Sequence, residues 1–332
     1  MAARKPPVRP VVWRPPRPSR AHRGRVPLPP VRRLPLGGTG PEDVRRDEAS
    51  GRLLTGVADG RILSVDPEGG PVRTLARTGG RPLGLCPLPD GRLLVCDAER
   101  GLLRLDPGSG RTETLLGADG GPLRVCSNAV AAPDGCVYVS DASARFPLEH
   151  WMGDLLEHSG TGRLLRYEPG AARPEVVLDG LQFANGVALA PDGSFVVVAE
   201  TGAYRLTRVW LTGPRAGHRD VFADALPGFP DNLSTGPGGL IWVALAGPRE
   251  PALDLLHRAP PVFRRALWSL PSALIPGPRP TAWVMALDAA GRVVHDLRRP
   301  GRGYRMVTSV CEHAGRLYLG SLVESAVGVV RV

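Results

Sequence analysis

Short runs of Val, Leu and Ile recur along the chain, each broken by a turn that ends in glycine and followed by a second apolar run. The unit appears as EDVRRDEASGRLLTGVA from Glu42, LGLCPLPDGRLLVCDAE from Leu83, NAVAAPDGCVYVSDAS from Asn128 and NGVALAPDGSFVVVAET from Asn185. It appears twice more as DNLSTGPGGLIWVALA from Asp231 and TSVCEHAGRLYLGSL from Thr308. Such runs, bounded by Gly, Pro and Asp, read as strands joined by tight turns. After most copies comes a further hairpin, such as GRILSVDPEGGPVRTLA. Four strands in each of six repeats predict an all-β, six-bladed β-propeller.

The turn glycines, Gly51, Gly91, Gly135, Gly193, Gly239 and Gly315, are spaced by 40, 44, 58, 46 and 76 residues, so the third and fifth intervals carry insertions. Both insertions have helical period. Leu148, Trp151, Met152, Leu155 and Leu156 fall on one helical face, and so do Phe263, Ala266, Leu267 and Leu270. Each insertion follows the second strand of its repeat. The meander therefore places two helical lids, about 142–161 and 246–281, on one face of the propeller, opposite the Pro-Asp-Gly turns. Trp151, Met152, Phe263 and Trp268 are expected either to form an apolar ceiling or simply to pack the lids down. Few residues follow Tyr304, and VRRLPL at 31–36 is expected to supply the outermost strand that closes the ring, making 31–332 one propeller domain.

The starts of the innermost strands carry Glu42, Gly84, Asn128, Asn185, Asp231 with Asn232, and Thr308 with Ser309. These starts should ring the axial channel on the lidded face. Two carboxylates and neutral amide oxygens converging there suit a hard cation of the calcium type. Asn and Asp also open strands simply as good turn residues. Their recurrence at equivalent positions favours the cation.

Composition changes this picture at one place. Ten of the 42 basic side chains lie in residues 1–40, which hold no acid, so the 32 that remain balance the 32 acidic residues of the rest. The formal net charge of +10 therefore belongs to a Pro/Arg-rich leader, and residues 1–30 read as a solvated, disordered arm. With a neutral body, no nucleic-acid partner is expected. No secretory signal and no span-length apolar segment appears, so a soluble, cytoplasmic protein is expected. Cys86, Cys96, Cys126, Cys136 and Cys311 have no metal-ligand spacing and read as buried free thiols.

The stretches GPEDV, GRPLGL, GLQFANGVALAPDGSFVVVAET, FADALPGFPDNLS and EHAGRLYLGSL resemble the strictosidine synthase-like family, in its branch related to adipocyte plasma membrane-associated protein. That family lies within the wider SMP-30, gluconolactonase and paraoxonase-like propellers. The resemblance runs from about residue 40 to the C-terminus. It implies a central calcium ion and, in many relatives, esterase or lactonase chemistry. The family's calcium ligands fall on Glu42, Asn128, Asn185 and Asp231, with Asn232 beside them. Two departures bear on chemistry. The position of the synthase's catalytic Glu matches Thr308, which puts amine–aldehyde condensation in doubt, and the paraoxonase imidazole matches Leu83, which puts that base in doubt.

The residues therefore point to a calcium-dependent hydrolase acting on a small-molecule lactone or carboxylic (aryl) ester. Asp231 is the candidate base, and Glu200, with Asp141 and Asp97, is held in reserve. These three also suit ties between strands; His150, His158 and His257 lie on or near the lids, where an imidazole could reach substrate or simply serve a polar lid surface. No G-x-S-x-G elbow, phosphate loop or dinucleotide fingerprint occurs. Two alternatives stay open: a non-catalytic propeller that binds a small molecule or partner around a structural calcium, and a synthase-like condensation.

Overall fold

A computed structural model describes residues 5–19, 26–118, 121, 123–271, 274–275 and 277–332. Six sheets, antiparallel within each blade's meander, are arranged as a six-bladed β-propeller, with consecutive strands of a blade paired. Blade 1 runs from Val44 to Arg77, blade 2 from Pro82 to Gly117 and blade 3 from Cys126 to Leu181. Blade 4 covers Ala184 to Ala223, blade 5 Gly228 to Pro300, and blade 6 Val307 to Arg331. Inner strands are packed between neighbouring blades on both faces, which is why Phe195–Glu200 is buried throughout. Outer strands such as Glu175–Leu181 meet water along most of their length, with Leu178 and Leu181 buried. The Pro-Asp-Gly turns need φ > 0 at glycine; Gly193 has φ +71° while Asp192 Oδ1 accepts the Ser194 N–H at 3.0 Å.

The ring closes through its first residues. Arg32–Pro35 is the fourth strand of blade 6, antiparallel to Ala326–Arg331, with Leu34 opposite Val327. Val26–Pro27 adds a short parallel strand to blade 5. Trp283 packs with Phe195 and Leu206 of blade 4, and Trp242 packs with Val307 and Leu319 of blade 6. Burying an indole of this size stabilises by about 4–6 kcal/mol as an upper bound.

Among the described residues the lids carry three α-helices: α1 (Trp151–Glu157), α2 (Pro251–Arg258) and α3 (Pro261–Ser269). The second insertion holds two of them because Pro260 and Pro261 break the run. Residues 5–19, expected to be a solvated arm, instead lie across all three. Val8 packs with Phe146, Leu156 and Trp268, and the Trp13 ring stacks on His158 at 3.9 Å. The carbonyls of this strap accept hydrogen bonds: Pro6 from Trp268 Nε1 at 2.7 Å, Val11 from Arg264 at 2.9 Å and Pro16 from Arg249 at 2.6 Å. A proline-rich segment cannot pair with itself, but its carbonyls remain good acceptors, and the lids supply the donors.

Candidate functional site

Five of the six innermost strands share one irregularity. Their register shifts skip 83–84, 127–128, 185–186, 231–232 and 308, the positions singled out in the sequence. A bulge leaves its residues out of the ladder and re-aims their side chains. This is why Asn185 opens an otherwise apolar strand. The crowding also explains Gly84, where a Cβ would stand 2.7 Å from the Asn128 Cα.

Glu42, Asn185 and Asp231 line a cavity of about 410 Å³ together with Ser127, Thr201 and Thr308. Trp151, Met152, Leu253 and Leu267 from the lids, with Leu83 and Phe183 from the blades, form much of the remaining wall. Asn128 and Asn232 are buried behind it, in a chain of amides. Asn128 Nδ2 donates to Asn232 Oδ1 at 2.9 Å, and Asn232 Nδ2 donates to Glu42 Oε1 at 2.8 Å, joining blades 3, 5 and 1. Ser127 Oγ donates to Asn185 Oδ1 at 2.9 Å, and Asn128 Oδ1 accepts the Val187 N–H at 3.3 Å. Each of these two amide oxygens keeps a second lone pair.

The carboxyls are unsatisfied. Glu42 Oε2 and Asp231 Oδ1 are buried without a hydrogen-bond partner. Burial raises the proton affinity of Glu42 well above the usual carboxylate range, and the negative charges of Asp231 and Asp43 add to it; Arg81 and Asn232 offset this in part. Burial likewise pushes Asp231 up to about 8, with Asp43 adding to it and hydrogen bonds from Asn185 and the Asn232 N–H opposing. Two adjoining buried carboxyls, each with an oxygen lacking a partner and with amide oxygens beside them, fit a hard divalent cation. Glu42, Asp231, Asn185 and Asn128 are the residues that would hold it. Asn232 instead spends both side-chain atoms orienting Asn128 and Glu42. Among the described residues no group of three or more His, Cys, Asp and Glu could hold a metal ion, so any cation here relies on the neutral amides.

The other candidates stand elsewhere. Glu200 binds Arg205, the Thr207 hydroxyl and the Gln182 N–H; Asp141 binds Arg163 and the N–H groups of Arg124 and Val125. Asp97 Oδ1 accepts from the Arg81, Glu99 and Arg100 N–H groups. All three tie strand ends together. His158 and His257 pack under the strap, and burial lowers both to about 3, keeping them neutral. His150 is buried at the foot of α1 beside Trp268. Phe263, expected in the ceiling, is 54% exposed. All five cysteines are free.

Sequence reasoning missed an ion pair near the axis. Asp43 is fully buried and accepts from Val44 N, Leu85 N and, at 3.0 Å, Arg45 Nε. Arg45 also donates to the carbonyls of Leu85 and of Leu233 across the channel. Strand alternation places residues 43 and 45 on one face, the signal that could have found them. Thr201 was also missed: it accepts from Asn185 Nδ2 at 3.3 Å and donates to the Pro230 carbonyl at 2.7 Å.

A six-bladed propeller with an acidic, amide-lined axial cavity beneath helical lids defines the class. Residues 128–214 match the strictosidine synthase family model, and residues 28–65 match the strictosidine synthase-like N-terminal model. The chain is 34% identical over 294 residues to the adipocyte plasma membrane-associated protein of Rattus norvegicus, covering 81% of this chain and 77% of that one. It is 37% identical over 200 residues to a strictosidine synthase-like protein of Arabidopsis thaliana, where it spans 53% of the relative's length and the match covers 58% of this chain. The chain belongs to the strictosidine synthase-like family. Solved structures of the same fold include a gluconolactonase from Xanthomonas campestris, with TM-score 0.64, 19% identity and 99% of each chain covered. A calcium-binding regucalcin from Agrobacterium tumefaciens has TM-score 0.64 at 16% identity, covering 92% of this chain and 94% of that one. Among the described residues no helix is long and apolar enough to cross a membrane.

Proposed function

We propose that this protein hydrolyses lactones or carboxylic esters, aryl esters among them, that carry a sizeable apolar portion, with calcium held at the axial carboxyls. The observation that carries this reading is one cavity joining apolar lid walls to Glu42 and Asp231, each with a buried oxygen that lacks a partner. A bound divalent cation polarises an ester carbonyl and offsets the negative charge that develops on its oxygen. The chain's own residues do the rest. Leu83, Phe183, Trp151 and Leu267 hold the apolar portion and exclude water. Asp231, whose Oδ1 has no hydrogen-bond partner, accepts a proton from the attacking water once the cation has displaced its own. Ser127 and Thr201 fix the Asn185 amide from both ends. Thr308 donates its hydroxyl to the Glu42 carbonyl at 2.6 Å and so braces the carboxylate's backbone. A hydroxyl spent in this way cannot be the base that an amine–aldehyde condensation needs.

Turnover of a panel of aryl esters and lactones, with and without chelator, tests the reading. Chelator-sensitive hydrolysis is the expected result. Calcium binding with no turnover would favour the second reading, a binding propeller with a structural cation, which the amide chain across blades 3, 5 and 1 supports.

Proton and cation compete for the same oxygens, so a pH test is independent of activity. The folded Asp231 carboxyl lies above its unfolded value of about 4. The stability its proton supports is therefore fully present below about pH 4 and lost as pH rises through about 8. The thermal midpoint of metal-free protein is expected to fall between about pH 5 and pH 8, and added calcium to flatten that slope. A midpoint independent of pH without calcium would count against the paired carboxyls.

A further inference from the structure

Helix α3 is turned against its own apolar pattern. Its sequence stripe was expected to face the propeller, yet Val262, Phe263 and Leu270 at its outer side are 57%, 54% and 40% exposed, while Arg264 is fully buried. The guanidinium explains the rotation. Arg264 donates to the Leu156 carbonyl near the end of α1 and to the Val11 carbonyl of the strap, both at 2.9 Å, and meets His257 Nδ1 at 3.2 Å. With that side chain pinned inward, Val262, Phe263 and Leu270 face water, while Leu267 and Trp268 stay on the inner side. Helix α2 adds Leu255 at 68%, and the strap adds Val11 and Val12 at 50% and 53%. One exposed Leu needs no explanation, but six large apolar side chains on three mutually bonded segments form a face that wants a partner.

The charge of the same layer says which partner. Arg9, Arg14 and Arg17 of the strap and Arg258 and Arg265 of the helices are exposed. Carboxylates of the layer are largely engaged: Glu157 with Arg145, Glu250 with Arg279 and Asp254 with the Tyr204 hydroxyl, while Asp154 is buried and Glu149 exposed. Two copies of this face would set arginines against arginines, and a nucleic acid would leave the aliphatic side chains without use. We propose that the lid face docks peripherally on an anionic lipid bilayer. Val262, Phe263 and Leu255 enter the acyl boundary while the arginines meet the headgroup charge, the division of labour of interfacial helices. Docking there places the lids, and the cavity beneath them, against a lipid surface.

Cosedimentation of the full chain with vesicles decides it. Binding is expected to phosphatidylcholine vesicles that contain phosphatidylserine, to be at least about tenfold weaker to phosphatidylcholine alone, and to weaken with salt. Val262→Ser/Phe263→Ser/Leu270→Ser should lose at least about tenfold with the thermal midpoint retained. Arg14→Gln/Arg17→Gln/Arg265→Gln, which changes only exposed side chains, should lose the preference for phosphatidylserine. Wild-type protein that stays in the supernatant with both vesicles overturns the proposal, as does undiminished binding by both variants. So does concentration-dependent self-association, without vesicle binding, that the serine variant abolishes; the face would then belong to a second copy.

Discussion

Asp231→Asn is expected to lower ester or lactone turnover about a hundredfold or more, equivalent to about 2.7 kcal/mol of barrier. The substituted amide keeps an oxygen facing the cavity and retains the shape of the side chain, so the fold should survive. What it loses is the capacity to take a proton. Thr308→Ala, by contrast, removes one hydrogen bond to the Glu42 carbonyl and should retain turnover within about tenfold. Steady-state rates of both variants with calcium present check the assignment. Native-rate hydrolysis by Asp231→Asn would remove Asp231 from the role of base.

Arg45→Met should be among the most destabilising single changes away from the cavity. It leaves Asp43 fully buried with its charge unpaired, a loss of about 3–5 kcal/mol. It also frees the Leu233 carbonyl across the channel. Adding Asp43→Asn to the same chain should restore much of the loss, because the offending charge is gone. Denaturant unfolding of the two variants measures this. Equal stability of Arg45→Met and wild type would show that the pair contributes nothing to the ring.

The ring itself was legible because short apolar runs broken by glycine turns repeat six times, and repetition survives local noise. The axial residues were legible for the same reason: Asn128, Asn185 and Asp231 occupy one place in successive units. What repetition could not reveal was anything unique. The strap has no apolar period, and it is anchored through backbone carbonyls to Arg264, Trp268 and Arg249, donors far away in the chain. Composition alone therefore read it as solvated. The rotation of α3 was hidden because a buried Arg264 overrides the helix's apolar stripe, a contest settled by hydrogen bonds across the lids. Asn232 matched the ligand pattern by position, but its amide is held between Asn128 and Glu42.

The closing strand also sets a clock. Residue 35 pairs with residue 326, so during synthesis the closing strand waits for nearly the whole chain. At typical ribosomal rates that is about 15–60 s. Throughout this interval the other three strands of blade 6 are incomplete, and Arg32–Pro35 has no sheet to join. Its own sequence suits the wait, since two arginines and a proline in four residues make a poor template for pairing with other nascent chains.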